Sequence, residues 1–261
     1  MRRALLAAAA LLVSVGPALG AEDDVIDPDR PDVTNSAKTV GRGRVQLETG
    51  VLYERTRLAA SPTERRMSIE AALRVGLTES LELDIDAEPI VRLRGGVDET
   101  DVGDVTLGVK YRFLESIDGG WWPTLALNPF VKLPIAQEPI GSGRTDAGLI
   151  LLATFDLPWQ LGLDVNAGAA LIGQTRPSGH LVQARASASL SREVIQRLST
   201  FVELAYASRE ERDGRDTLAV QAGLIWRVAR DFALDAAVST GVLGSLPDFG
   251  VRFGGSVRFG R

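Results

Sequence analysis

The amino-acid sequence predicts an all-β fold, a transmembrane antiparallel up-and-down β-barrel of about twelve strands, from three regularities. Apolar and polar residues alternate over many stretches of roughly ten residues, the length that a tilted membrane strand needs. Short and long connections take turns along the chain. Beyond the first twenty residues, the longest apolar run, "AGLILLATF" at 147–155, falls far below the ~18 residues of a membrane helix.

The chain opens with "MRRALLAAAALLVSVGPALG", which has two arginines, an apolar stretch from Ala4 to Val15, a break at Pro17 and small residues at Ala18 and Gly20. This is the pattern of a secretory signal peptide over residues 1–20, cut before Ala21. There is no cysteine, so neither a disulfide framework nor a thiolate metal site is available. A net charge of −5 gives no reason to expect nucleic acid as a partner.

Residues 21–42, "AEDDVIDPDRPDVTNSAKTVGR", are acidic and rich in turn formers. They are expected either to trail in the periplasm or to fold into the lumen as a plug, with Arg30 pairing a wall carboxylate. Asp27, Asp29 and Asp32 lack the spacing and glycine of a calcium loop, so no metal and no cofactor is expected.

The barrel is expected over residues 43–261. Its first strand sets Val45, Leu47, Thr49, Val51 and Tyr53 against Arg44, Gln46, Glu48 and Gly50. The second sets Met67, Ile69, Ala71, Leu73, Val75 and Leu77 against Ser68, Glu70, Ala72, Arg74 and Gly76. The third opposes Leu81, Leu83, Ile85 and Ala87 to Glu82, Asp84, Asp86 and Glu88, and the fourth covers 105–113. The alternation weakens at 121–133 and 147–157. It returns at 161–171, 180–191, 198–207, 217–227, 232–241 and 249–259.

Short turns are predicted near 78–80, 115–120, 158–160, 193–197 and 228–231, and long polar loops near 55–66, 95–103, 134–146, 172–179, 209–216 and 242–248. An outer-membrane barrel has short periplasmic turns and long outer loops. Trp121, Trp122, Trp159 and Trp226 stand beside short turns, whereas Tyr53 and Tyr206 stand toward long loops, as the two aromatic girdles of a barrel would require. A secreted β-sandwich also has short alternating strands. Its polar face would meet bulk water, though, while here that face is rich in Gly, Ser, Ala and Asn, which suits a confined lumen. In the closing strand, Val251, Phe253, Val257 and Phe259 are expected to face lipid, and Arg252, Ser256 and Arg258 the lumen.

"DRPDVTNSAKTVGRGRVQLETGV" at 29–51, "GDVTLGVKYRF" at 103–113 and "PFVKLPI" at 129–135 resemble the outer-membrane transporters of the MetA-pathway of phenol degradation family. In that family an Asp-Arg-Pro-Asp segment precedes the first strand, and Asp29, Arg30, Pro31 and Asp32 match it. Val33 stands where the family often has an aromatic residue. Outer-membrane proteins typically end on an aromatic residue read during assembly, and this chain resembles them except that Gly260 and Arg261 follow Phe259. The resemblance to the phenol-degradation family implies passage of small molecules, aromatic or hydrophobic ones included, across the outer membrane of a Gram-negative bacterium. It also implies as partners the outer-membrane lipid and lipopolysaccharide, the assembly machinery that reads the closing strand, and a small-molecule solute.

The third strand points Glu82, Asp84, Asp86 and Glu88 to one side. Pairing through the short turn places Arg74 near Asp84, and pairing through the next loop is expected to bring Lys110 and Arg112 near Asp86 and Glu88. This charged group either constricts a solute path or is a salt-bridge ladder filling the barrel. Arg55, Arg57, Arg65 and Arg66 around the first long loop either meet lipopolysaccharide phosphates or are solvated. The only histidine, His180, lies close to Ser178, but no nucleophile elbow, P-loop or dinucleotide fingerprint accompanies them, so no enzyme is expected. The sequence thus points to a barrel for passive passage of small solutes, and alternatively to a closed structural or surface-interaction barrel.

Overall fold

The computed structural model describes residues 25–57, 63–117, 122–175 and 177–260. The expected signal peptide lies outside the described residues, as do Trp121 and Arg261. Among the described residues there are thirteen strands and no helix: β1 (Val45–Thr56), β2 (Glu64–Gly76), β3 (Leu81–Arg94), β4 (Glu99–Asp101), β5 (Val105–Leu114), β6 (Thr124–Leu133), β7 (Asp146–Leu157), β8 (Leu161–Gln174), β9 (Gly179–Ile195), β10 (Leu198–Ala207), β11 (Thr217–Ala229), β12 (Phe232–Leu243) and β13 (Phe249–Phe259).

Each wall strand pairs antiparallel with the next one along the chain, β3 with β5 across the short β4. The sheet closes because β1 pairs with both β2 and β13, from Val45 opposite Phe259 to Arg55 opposite Phe249. Twelve strands form the wall. The exception is β4, three residues of the long loop after β3 that fold back on its outer end, Val91 opposite Asp101. Nothing in its "ETD" sequence alternates, and it was expected as loop. Several connections are tighter than expected, since β2 starts already at Glu64, β8 runs on to Gln174, β9 to Ile195, β11 to Ala229 and β12 to Leu243.

The alternation resolves into two faces of opposite chemistry. Apolar side chains point outward and stay exposed, among them Val51, Met67, Leu151, Leu204, Val238 and Phe253, while Gln46, Glu48, Ser68, Arg74, Glu82 and Lys110 point inward and are buried. A soluble sandwich would do the reverse. The outward apolar belt identifies the surrounding solvent as lipid, and only a closed barrel satisfies every backbone group there. Trp122, Trp159 and Trp226 are exposed at the short-turn rim, and Tyr206 toward the long loops, which fixes the two membrane interfaces. In β13, Phe253 and Phe259 face out while Ser256 and Arg258 face in.

Glycine on the inward face makes room for large neighbours. A Cβ on Gly148 would stand 2.6 Å from the Phe130 ring, and one on Gly223 would stand 2.6 Å from the Phe201 ring. In β3, Glu88 and Pro89 together face the single Glu70 of β2, and the register shifts there. Proline has no N–H to give a ladder, so a bulge is where it fits. Past the bulge the inward face changes parity: Val91 is fully buried and Ile90 is exposed.

Leu151 lies midway along β7 on the lipid face. Leu151→Arg is expected to destabilise the folded barrel by about 2–4 kcal/mol in reversible urea unfolding from liposomes, whereas Ser187→Arg on the lumen face should cost far less.

Candidate functional site: the lumen and the segment within it

Residues 25–44 run inside the barrel, in the half next to the short turns. They form no strand, so their backbone groups need other partners, and inward-pointing wall side chains supply them. The path begins at β11 and β12, where Ile26 N donates to Arg230 O at 2.8 Å and Asp27 pairs with Arg227 at 2.9 Å. It ends at the turn before β3, where Thr39 donates to Glu79 O at 2.7 Å and Val40 N to Glu82 at 2.6 Å.

Asp29, Arg30, Pro31 and Asp32 each take a different wall partner. The Asp29 carboxylate meets Lys110 at 2.8 Å and Arg74 at 3.4 Å. Arg30 spans the β1–β13 seam, pairing Glu70 at 2.6 Å and Asp235 at 3.4 Å, and its N–H donates to Glu48 at 2.9 Å. Its guanidinium lies on Gly50 and Gly254, which face each other across that seam; a Cβ at either would come within 2.2 or 2.7 Å of its Nη2. Pro31 O accepts from Gln221 at 2.8 Å, and Asp32 accepts from Ser189 at 2.8 Å.

Beyond the motif the backbone itself is held. Val33 N and Thr34 N donate to Glu203 at 3.0 and 2.5 Å, and the Thr34 hydroxyl bonds the same carboxylate. Asn35 exchanges two hydrogen bonds of 2.8 Å with Asn166, and Ala37 N donates to Thr154 at 2.9 Å.

The charge centre beneath this segment is Arg74. It bonds Glu82 at 2.8 Å, Glu48 at 3.2 Å and Asp29 at 3.4 Å, and it donates to the carbonyls of Asp27 and Lys38. Lys110 adds a second buried cation, 3.4 Å from Glu82.

The sequence-derived pairings are partly corrected here. Arg74 does stand opposite Asp84 in the ladder, but its guanidinium turns to Glu82. Lys110 faces Glu82, not Asp86, and Asp86 faces Thr106. The reason is the loop after β3: β4 and Gly103, which donates to Glu88 O, consume its length, so that Val105 meets Ala87. Arg112 consequently reaches the short-turn rim, where it binds Glu115 and the carbonyl of Glu79. Glu88 is paired instead with Arg66 at 2.5 Å.

Above the segment a cavity of about 1620 Å³ extends toward the long loops. Asp84, Asp86 and Asp104 line one side; Phe130, Ile150 and Ile172 line the next. Asp86 is exposed to this space, and Asp84 accepts from Asn128 at 3.0 Å. Arg185 sits 5.5 Å from the Phe130 ring centroid, a cation–π distance. The loop between β6 and β7 folds inward, its Ala136 N bonded to Asp104, and Lys132 ties it down through Asp104 at 3.0 Å, Asp146 at 2.8 Å and Ser142 at 3.0 Å. His180 stands opposite Gly173 at the long-loop end, exposed.

Glu48, Glu70, Glu203 and Asp235, which hold the inner segment, were not singled out from sequence. For Asp235 the signal is a lone acid on a face of small residues, in "FALDAAVS", whereas Glu203 shares its face with Phe201 and Glu70 with Arg74.

With this geometry in view, residues 28–259 match the family described as "Putative MetA-pathway of phenol degradation". The chain belongs to that family. No curated protein matches it. Among solved structures, the COG4313 outer membrane channel from Pseudomonas putida F1 is similar at 13% identity and a TM-score of 0.72, over 90% of this chain and 100% of that one. The NanC porin is similar at 10% identity and 0.55, over 82% and 98%. The β domain of the Bordetella autotransporter BrkA follows at 12% identity and 0.51, over 83% and 99%. This family member therefore has the fold of Gram-negative outer-membrane barrels, and one such fold serves porin and autotransporter alike.

Two outcomes test the inner contacts. Arg74→Met takes the guanidinium from Glu48, Glu82 and Asp29, leaving only Lys110 beside the last two, and is expected to cost about 3–5 kcal/mol in urea unfolding. Arg94→Met, which breaks an exposed pair with Asp98, should cost at most about 1 kcal/mol. Asp32 lies outside the strands, and burial, the Glu203 carboxylate, and Asp164 and Asp29 push its carboxyl well above the ordinary range, against the pull of the Ser189 bond. A raised folded-state value favours the bound arrangement fully below the ordinary carboxyl range and loses that help as pH rises through the raised value. A nitroxide on Val33→Cys, the chain's only thiol, is therefore expected to gain mobility with rising pH, and Asp32→Asn should flatten the change.

Proposed function

We propose that this barrel is a channel or facilitator for passive passage of small solutes across the outer membrane, with residues 25–44 as its plug. The observation that carries the reading is the cavity of about 1620 Å³, which runs from the long loops down to Asp29, Arg30, Asp32 and Val33. A structural barrel has no need of so large an opening over so elaborate a floor. The family description and the porin-like fold support the same reading.

The solute class follows from the cavity wall. Phe130, Ile150 and Ile172 offer an apolar surface beside Asp84 and Asp86, a combination suited to small neutral aromatic or hydrophobic molecules carrying a hydroxyl. The carboxylates also raise the local cation concentration. No enzymatic step is assigned to the chain. Outer-leaflet lipid surrounds the barrel, and the strand ending at Phe259 is what the assembly machinery would read.

One observation favours the alternative of a closed structural barrel: the inner segment bonds ten of the twelve wall strands, at residues from Glu48 to Asp235. Planar-bilayer conductance separates the two. The full chain is expected to give small steps and a chain lacking residues 25–42 larger ones, with cation preference reduced by Asp84→Asn and Asp86→Asn and current blocked by phenol but not glucose. Silence of both chains would establish the closed barrel.

A further inference from the structure

We propose that the long-loop rim of β1, β2 and β3 binds the phosphate groups of the glycolipid in the outer leaflet. This rests on the barrel's placement in the membrane and is independent of whether the lumen conducts.

Strand alternation selects the residues. On β1, Val51 faces lipid and Leu52 is buried, so Arg55 shares the outward face. On β2, Met67 is exposed and Ser68 buried, which places Arg65 outward. The Glu88–Pro89 bulge reverses the parity of β3, so Ile90, Arg92 and Arg94 face out around the buried Val91. The ladder then sets Arg55 opposite Arg65, Arg65 opposite Arg94, and Met67 opposite Arg92. Four guanidinium groups stand on neighbouring positions of one outer face, directly above Tyr53, Met67 and Ile90.

Arg66, grouped with these by sequence, belongs to the lumen face, where it pairs with Glu88 and Glu54.

Like charges directly opposite on a sheet repel, and a rim at the lipid boundary has less water to screen them. Arg94 shares its charge with Asp98 at 2.8 Å. Arg55, Arg65 and Arg92 have no carboxylate partner among the described residues, and the Nε of Arg55 is shut from solvent without a hydrogen-bond partner. The missing counter-charge has a source at this height, because the outer leaflet carries phosphorylated sugar headgroups at the top of its acyl layer. The planar guanidinium fork fits phosphate oxygens two at a time.

The test uses the folded barrel in detergent with diphosphorylated lipid A, the same lipid with its phosphates removed, phosphatidylglycerol and inorganic phosphate. Bound lipid is counted by native mass spectrometry and by competition. Diphosphorylated lipid A is expected to bind at least about tenfold more weakly to the double variant Arg65→Gln, Arg92→Gln than to the parent chain, with Arg197→Gln at the opposite rim unaffected. Gel mobility of unheated samples checks folding, and Arg65→Lys with Arg92→Lys, which keeps the charge but not the fork, should lie between. Equal binding of the dephosphorylated lipid, equal competition by inorganic phosphate or phosphatidylglycerol, or an unchanged affinity of the double variant would each overturn the proposal.

Discussion

The interior of this barrel depends on one buried cation. Arg74 projects from β2 into a space lined by Glu48, Glu82 and Asp29, and it also donates to two carbonyls of the inner segment. In a soluble protein the hydrophobic effect would gather the core around such a group. Here most of the apolar surface is committed to lipid on the outside, so beside a small apolar cluster of Ala37, Ala126 and Leu152 the inside coheres chiefly through polar contacts. Removing charges from water is costly, and only a full set of partners offsets it. Arg74 has that set because chain segments far apart in sequence converge on it.

The same constraint explains the small residues of the lumen face. An extended segment without a strand ladder needs side-chain partners at close range, and bulky neighbours would hold it off the wall. Gly50 and Gly254 let Arg30 lie flat across the seam that closes the barrel, so that one side chain joins β2 to β12 over β1 and β13. Gly148 and Gly223 do the same for Phe130 and Phe201. In the half next to the short turns the lumen is therefore not lined with small residues to be empty. They are small because something else occupies the space.

The fold was legible because a membrane strand must alternate along its whole length, and twelve such strands leave little freedom. The site was less so. Arg74 and the acids of β3 could be placed on one face, but their partners depended on register, and register across a long loop is set by how that loop folds. The three-residue strand β4 carries no alternation, yet it decided that Lys110 meets Glu82 instead of Asp86. Arg30 was expected to find a wall carboxylate and finds two, while Glu203 and Asn166, which hold backbone amides, had no sequence partner to reveal them. The grouping of Arg66 with Arg65 failed for a simpler reason, since adjacent residues on a strand face opposite solvents.

The hold on the inner segment is uneven around the barrel. Toward β1, β2, β3 and β5 it rests on opposite charges, with Asp29 and Arg30 set against Arg74, Lys110, Glu48 and Glu70. Toward β8, β9 and β10 it rests on neutral or backbone donors, and Asp32 stands near Glu203 with one carboxylate oxygen buried and unbonded. The bonds accepted by the Glu203 carboxylate are charge-assisted as well, so what weakens this side is the crowding of two acids, since an unsatisfied carboxylate oxygen beside another acid works against binding. A segment held this way is expected to give way first on the β8–β10 side, with Arg30 and Asp29 keeping their places. The large cavity reaches both sides, with Asn166, Ser187 and Ala205 along one and Glu48 and Arg74 along the other, so the uneven hold is exposed to it around most of its floor.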